Sequence, residues 1–132
     1  MATDRGPLLV TLSDKIKVRD YIATKIGPQV LNNLLWGGKD VFTMPFDDFP
    51  KSFVIKANHG SGFVRIVTDK SSIKRHDVMR EAEGWLRFDY GKYSGEWAYS
   101  RIDPLLMVEE FIESSAKSAD GVPWDYKFFV FN

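Results

Sequence analysis

The sequence predicts an α+β domain with a mostly antiparallel sheet and flanking helices. Two short segments rich in β-branched and aromatic residues, 52–56 and 63–68, are separated by a glycine-containing loop and therefore predict a hairpin. Segments with helical periodicity lie before and after this hairpin, and two further strand-like segments follow them. With 132 residues, of which 44% are hydrophobic, the chain has the length and composition of one domain.

Two helices are predicted from periodicity and end signals. The first begins after Ser13-Asp14, which offers an N-cap side chain, and runs to about Ile26, where Gly27-Pro28 ends it. The second covers residues 77–88, whose apolar side chains recur at helical spacing. The first dozen residues show no such periodicity, and we expect their apolar side chains to be buried, namely Leu8, Leu9, Val10 and Leu12.

The remaining segments complete the predicted layout. Residues 41–50 contain two prolines and irregular apolar positions, so they are predicted to form a connecting loop. Strands are predicted over 105–112 and 127–131. The single domain, residues 1–132, is thereby divided into an N-terminal helical segment (12–40) and an α+β subdomain (41–132).

Composition excludes several functional classes. Lys plus Arg equals Asp plus Glu, at 18 each, so the chain lacks the excess positive charge expected for broad binding to nucleic acid. It contains no cysteine, which excludes disulfides and thiolate metal sites. No apolar run is long enough for a signal peptide or a membrane span, so we expect a cytoplasmic protein. The two histidines, His59 and His76, lack metal-ligand spacing, and no metal site is predicted.

The loop of the predicted hairpin carries the most informative motif, Lys-Ala-Asn-His-Gly-Ser-Gly at 56–62. Gly60 and Gly62 allow backbone amides to approach an anion without obstruction by a Cβ atom. Lys56, at the end of the preceding strand, can neutralise charge on the same phosphate group, with His59 and Ser61 beside it. Short Gly-x-Gly patterns are common, so an ordinary hairpin loop next to a solvated lysine is the alternative interpretation.

A second motif, Val-Glu-Glu-Phe-Ile, lies in the predicted strand at 108–112. Backbone groups of such a strand can bind the amino group of a purine, while Phe111 and Ile112 supply an apolar face. A carboxylate from Glu109 or Glu110 can bind ribose hydroxyls. The alternative is a strand end with two solvated acids and two core residues.

Two other positions have both a functional and an ordinary interpretation. Lys15 follows the predicted N-cap and is either a ligand-binding group or an exposed helix-start lysine. Asp125 and Lys127 lie two residues apart on a predicted strand, so they project from the same face. They are either a functional pair that contacts substrate or phosphate, or a solvent-facing ion pair of little energetic weight.

These features follow the order seen in ATP-grasp proteins, and the chain resembles the teichuronopeptide-biosynthesis type of ATP-grasp domain. The resemblance covers about residues 12–132. It is carried by the blocks at 13–21, 53–62, 89–97, 108–111 and 125–129, among which Asn-His-Gly-Ser-Gly and Tyr-Ser-Gly-Glu-Trp are fairly specific to this branch.

The resemblance implies a role for each motif. Lys15 and Lys56 would contact the phosphates of ATP, Gly60 to Gly62 would fold over the β- and γ-phosphates, and the segment 109–112 would bind adenine. ATP is the implied cofactor. The implied activity is that of a carboxylate–amine ligase, which activates a carboxylate as an acyl phosphate that an amine then attacks. The implied acceptor is a cell-surface polysaccharide or a sugar-acid precursor of one.

One departure from the family pattern affects catalysis. ATP-grasp enzymes hold Mg²⁺ with acidic residues on strands that follow the segment ending at Asn132, and no carboxylate cluster follows Lys127 here. We therefore expect a partial ATP-grasp domain that binds ATP but is inactive alone, although Mg²⁺ is expected for a full-length member. The apolar run that ends at Phe131-Asn132 further suggests an uncovered sheet edge and self-association.

Two other functions stay open at the level of sequence. One is a non-catalytic nucleotide-binding or interaction domain that keeps only the fold. The other, a polysaccharide-related glycosyltransferase, has weaker support because such enzymes usually carry an Asp-x-Asp metal motif. That motif is not found, and Asp47-Asp48 lacks its spacing.

Overall fold

The computed structural model describes residues 5–113 of the chain. It contains a four-stranded antiparallel sheet, which confirms the predicted α+β class. The strands are β1 (Leu34–Gly38), β2 (Phe53–Ala57), β3 (Val64–Val67) and β4 (Leu106–Glu110), and their order in the sheet is β1-β4-β2-β3. The described helices are α1 (Pro7–Ser13), α2 (Lys17–Lys25), α3 (Arg75–Arg87) and α4 (Tyr90–Ser94).

The central strand β2 separates the core from an open face of the sheet. Phe53, Ile55 and Ala57 alternate along β2 and are completely buried, while Val54 and Lys56 point to the other side and are half-buried. On that other side Lys56 lies opposite Val64 of β3. The hairpin prediction over 52–68 is therefore confirmed, and the alternation places Lys56 on the accessible face.

The core lies between the sheet and α3. The buried residues Val78 and Ala82 of α3 belong to the same apolar cluster as Phe53. Helix α3 confirms the predicted helix over 77–88, with its beginning two residues earlier. Residues 41–50, predicted as a connecting loop, contain two short 3₁₀ turns, and the aromatic side chains of Phe46 and Phe49 are buried whereas that of Phe42 is exposed. Phe46 and Phe49 pack against Phe53 with ring centroids 5.7 and 5.1 Å away.

The N-terminal part differs from the sequence prediction. The helix predicted to follow Ser13-Asp14 and to run to about Ile26 is α2, but a further helix, α1, precedes it in the segment that shows no periodicity. The two helices meet at a turn where the side chain of Asp14 accepts hydrogen bonds from the backbone of Ile16 (2.9 Å) and Lys17 (3.2 Å), at the start of α2. The leucines of α1 do not meet the expectation of burial within the described residues, where Leu8, Leu9 and Leu12 are 52%, 37% and 42% exposed.

Two further differences concern a strand and a helix, and the predictions for the C-terminal residues are not tested. The segment predicted as helical, 12–40, also contains β1, which pairs with β4 and so belongs to the same sheet as the later strands. Helix α4 was not predicted from the sequence. The predicted strand over 127–131, the pair Asp125 and Lys127, and the proposed free edge at 131–132 lie outside the described residues.

Candidate functional site

The glycine loop follows β2 and is closed by a backbone hydrogen bond from Ala57 N to Phe63 O (3.0 Å). A Cβ atom on Gly60 would lie 2.8 Å from the Tyr90 ring and 2.9 Å from the Phe63 ring, so the rings leave no room for a side chain. Gly62 has φ +81°, in the left-handed region that favours glycine. Two of the loop's glycines are therefore required by local geometry, one for space and one for backbone conformation.

Lys15 reaches this loop from the turn between α1 and α2. Its backbone N–H donates to Asn58 O (3.2 Å), and its Nζ donates to the carbonyl oxygen of Gly60. Burial, and then the nearby Lys56 ammonium, lower the pKa of Lys15 below its ordinary value of 10.5, while Asp14 opposes the shift. The sequence interpretation of Lys15 as a solvated helix-start lysine does not fit this position.

A buried asparagine fixes the turn that carries Lys15. Asn58 is completely buried, and its Nδ2 donates to Asp14 Oδ1 (3.1 Å) and to Asp103 O (3.0 Å). Its Oδ1 accepts from Leu105 N (2.7 Å). The side chain of Asn58 thereby ties the loop to the α1–α2 turn and to the segment that enters β4. The sequence indicated Asn58 only as a member of the motif at 56–62, through its position next to the glycines, and did not predict its buried hydrogen bonds.

Lys56 is held in a different way, by an ion-pair network. Its Nζ lies 2.7 Å from Glu109 Oε2, and Arg19 Nη1 lies 2.6 Å from Glu109 Oε1. The second terminal nitrogen of Arg19 donates to the carbonyl oxygen of Asn32. Both oxygens of the buried Glu109 are therefore occupied by cations. The role of Arg19 was missed, because its partner is 90 residues away in the sequence.

The two lysines and the glycine loop line one cavity of about 310 Å³. The structure thus brings together the groups predicted to bind phosphate, with the exception of His59. The remaining wall is formed by Phe63, Val64 and Tyr99. We call this space the phosphate cavity. The residues of its lining that were predicted to bind phosphate are Lys15, Lys56, Gly60, Ser61 and Gly62.

A neighbouring groove of about 160 Å³ contains the predicted adenine segment, Glu109 to Ile112. Lys56 and Val64 line both spaces, so the groove and the phosphate cavity adjoin. The other apolar side chains of the groove include Val54 and Ile66 from the open face of the sheet. Glu110 is exposed and accepts a hydrogen bond from Asn33 Nδ2 (2.7 Å). We call this space the apolar groove.

His59 lies outside the phosphate cavity, in contrast to the predicted contact with phosphate. Its ring is buried, and Nε2 lies 3.2 Å from the carbonyl oxygen of Phe88 at the end of α3. Burial lowers the pKa of His59 despite the opposing influence of the Phe88 and Trp85 backbone. The neutral, buried ring therefore packs beneath the glycine loop and does not line the phosphate cavity.

Within residues 5–113, no group of three or more His, Asp or Glu side chains is arranged to hold a metal ion. None of the helices within that range is long and apolar enough to cross a membrane.

Comparison of the sequence with profiles of protein families matches residues 1–132, the whole chain, to the family described as TupA-like ATPgrasp. The match confirms the resemblance that the order of motifs indicated and extends it to residue 1. Neither the curated proteins nor the solved structures include a significant match.

Proposed function

Since the chain belongs to the TupA-like ATP-grasp family, we propose that it binds ATP, with the phosphates in the phosphate cavity and the adenine in the apolar groove. The observation that carries this proposal is the convergence of two lysines from separate elements on one glycine loop. Lys15 comes from the α1–α2 turn and Lys56 from the end of β2, yet both line the same cavity.

The electrostatics of the phosphate cavity favour a polyanion. Burial, and then repulsion by the Lys56 ammonium, lower the pKa of Lys15. A triphosphate between them would remove this repulsion and would offer Lys15 a charged acceptor in place of the neutral Gly60 carbonyl. Positioned cations and amides are also what phosphoryl transfer requires, because charge must be stabilised on the transferred group.

The apolar groove suits a flat aromatic base. Val54, Val64 and Ile66 offer an apolar floor on the open face of the sheet, and the adjacent end of β4 offers backbone groups. Glu109 is already paired with Lys56 and Arg19, so we assign it the role of orienting Lys56 and not that of binding ribose. This revises the earlier hypothesis for the Glu109 carboxylate.

For the reaction, we propose carboxylate–amine ligation in the biosynthesis of a cell-surface polysaccharide, carried out in the cytoplasm, where ATP is available. The γ-phosphoryl group of ATP passes to a carboxylate of the acceptor, giving an acyl phosphate and ADP. An amine then attacks the acyl carbon and releases inorganic phosphate. The ligase activity is proposed for the family member as a whole, and nucleotide binding for the described residues.

Calorimetric titration of the 132-residue chain with ATP, in the presence and absence of Mg²⁺, tests the proposal. We expect saturable binding that is lost in Lys56→Ala and kept in Lys39→Ala, since Lys39 is exposed and lines neither the cavity nor the groove. No binding at millimolar ATP would contradict the proposal and favour an interaction domain. Turnover of ATP by this chain alone would contradict the expectation that it is inactive by itself.

A further inference from the structure

The two lysines of the phosphate cavity differ in what compensates their charge. Lys56 Nζ lies 2.7 Å from Glu109 Oε2, so this ammonium is held in an ion pair. Lys15 makes no ion pair within residues 5–113, and its Nζ donates to the neutral carbonyl oxygen of Gly60. The cavity therefore contains one paired ammonium and one amine whose described acceptor is neutral.

The surroundings of Lys15 also favour its neutral form. Burial, and then the nearby ammonium of Lys56, lower the pKa of Lys15, while Asp14 opposes the shift. The Asp14 carboxylate is itself occupied, because its Oδ1 accepts from Asn58 Nδ2 (3.1 Å) and from two backbone N–H groups of the turn. Only a neutral amine is a nucleophile, and burial beside a second cation is an arrangement that activates a lysine in this way.

The other groups of the cavity suit a small molecule that carries a phosphate. Lys56 and the loop residues Ser61 and Gly62 line the same space of about 310 Å³ as Lys15. Ser61 and Gly62 are exposed, so solvent reaches this side of the cavity. A phosphate held by Lys56 and the loop would place its substituent next to Lys15, and holding two reactants side by side raises the rate of the reaction between them.

We propose that Lys15 is acylated by small acyl phosphates that enter the phosphate cavity and are held there by Lys56. The neutral Nζ of Lys15 attacks the acyl carbon, and the bond from this carbon to the phosphate oxygen breaks. Inorganic phosphate leaves with the electron pair of that bond and with the proton that Nζ gives up, so an amide remains on Lys15. The proposal rests on the phosphate-binding part of the proposed function and needs neither ATP nor the ligase reaction.

Such a modification would regulate the same site. An acyl group removes the positive charge of Lys15 and leaves a neutral amide in its place. A triphosphate would then lose one of the two lysine cations that line the cavity among the described residues, while the Lys56–Glu109 pair would stay intact. We therefore expect acylation to lower the affinity for ATP, by an amount that matches the effect of Lys15→Met.

The test compares two reagents that transfer the same acetyl group, acetyl phosphate and the N-hydroxysuccinimide ester of acetic acid, which carries no phosphate. Each is incubated with the 132-residue chain, and peptide mapping by mass spectrometry gives the initial rates of acetylation at Lys15 and at the exposed Lys39. We expect the ratio of the Lys15 rate to the Lys39 rate to be about tenfold higher with acetyl phosphate than with the ester, because only acetyl phosphate is held by the cavity. Inorganic tripolyphosphate should slow the reaction of Lys15 and not that of Lys39.

Substitutions then test the role of Lys56. Lys56→Met removes the cation that holds the phosphate, and we expect it to slow the acetylation of Lys15 by acetyl phosphate about tenfold, through the loss of one charge-assisted contact. The substitution also removes the influence of Lys56 on the amine of Lys15, which affects both reagents alike, so the ratio between the reagents isolates the phosphate contact. Lys74→Met, at an exposed lysine outside the cavity, is the matched control and should leave both rates unchanged.

The possible outcomes separate this inference from the proposed function. A preference of acetyl phosphate for Lys15 that Lys56→Met weakens supports the acylation site, even if calorimetry detects no binding of ATP. ATP binding together with equal rate ratios for the two reagents overturns the acylation site and leaves the proposed function intact. A preference for Lys15 that persists undiminished in Lys56→Met also overturns it, because the phosphate would then not be held as proposed.

Discussion

The two lysines of the phosphate cavity carry the same charge but are held by opposite means. Lys15 sits on a turn that is fixed by a hydrogen bond to the buried amide of Asn58, and within residues 5–113 its ammonium donates to a neutral carbonyl. Lys56 is fixed through its charge, by the carboxylate of Glu109, which Arg19 also holds. One side of the cavity is thus positioned through the backbone and the other through ion pairs.

The two lysines therefore contribute differently to the binding of phosphate. The charge of Lys56 is already compensated in the free chain, so its position is well defined and its electrostatic gain from phosphate is smaller. The charge of Lys15 is poorly compensated, which makes it the group that gains more from an anion. Substitutions on the Lys15 side and on the Lys56 side of the cavity separate these two contributions.

Asn58→Ala should give the largest loss of stability. The substitution removes two donated hydrogen bonds and one accepted bond in a completely buried place, and it leaves Leu105 N without its partner. We expect the free energy of unfolding to fall by about 3 kcal/mol, since each buried group left unsatisfied costs roughly 1–3 kcal/mol. Urea denaturation measures this change, and Asn33→Ala, at an exposed position, is the control. A loss as small as in the control would show that the turn of Lys15 does not depend on Asn58.

Glu109→Gln probes the other side of the cavity. It leaves Arg19 and Lys56 facing a neutral group, so we expect a loss of about 2 kcal/mol, below the roughly 3–5 kcal/mol of a fully buried pair because Lys56 is 31% exposed. The matched control is Glu83→Gln, which breaks an exposed i,i+4 pair with Arg87 and should cost about 0.5 kcal/mol or less. Equal losses in the two variants, again by urea denaturation, would mean that the network does not position Lys56.

Some residues of the phosphate cavity could be predicted from local sequence patterns, and others could not. Lys56 and the glycine loop were predictable because strand alternation and glycine spacing are local patterns, and the hairpin forms as predicted. That Lys15 lies beside them was indicated only by family resemblance, since no local pattern joins residue 15 to residue 60. The Asn58–Asp14 bond and the Arg19–Glu109 pair link distant segments, and periodicity carries no information about such contacts.

The same reason explains the errors. Helix α1 was missed because residues 7–13 show no apolar periodicity; it ends at Asp14, whose carboxylate has partners on both the following turn and Asn58. Strand β1 exists through its pairing with β4, so a short apolar run near Trp36 did not reveal it. The burial of His59 depends on the end of α3, which lies far along the chain.

Replacing each lysine by methionine compares their contributions to ATP affinity. Methionine keeps much of the chain length and removes the charge. We expect Lys15→Met and Lys56→Met each to weaken binding about tenfold to a hundredfold, since hydrogen bonds to charged groups contribute roughly 1.5–3 kcal/mol. Lys15→Met should show the larger loss, because the ammonium of Lys56 is already paired with Glu109 in the free chain whereas that of Lys15 contacts a neutral carbonyl. Calorimetry with ATP measures both, and Lys39→Met is the control.

The smallest expected effect is on the pH dependence of ATP affinity. Phosphate binding favours the charged form of Lys15, so affinity should fall as the pH rises through the lowered pKa of Lys15, below the ordinary 10.5. His59 is already neutral there because burial lowers its pKa, and burial raises the pKa of Tyr99 above its ordinary 10.0. The decrease should be absent in Lys15→Met and present in Lys39→Met. A decrease of equal size in Lys15→Met would show that it does not come from Lys15.

If Lys15 and Lys56 contact the same triphosphate while the apolar groove holds the base, the two lysines should affect ATP and adenosine differently. The test measures the affinities of ATP and adenosine for the unmodified chain and for the Lys15→Met/Lys56→Met double variant. We expect ATP to bind the unmodified chain much more tightly than adenosine does. We expect the double variant to bind ATP no more tightly than adenosine, with its adenosine affinity unchanged. Undiminished ATP affinity in a folded double variant would contradict it.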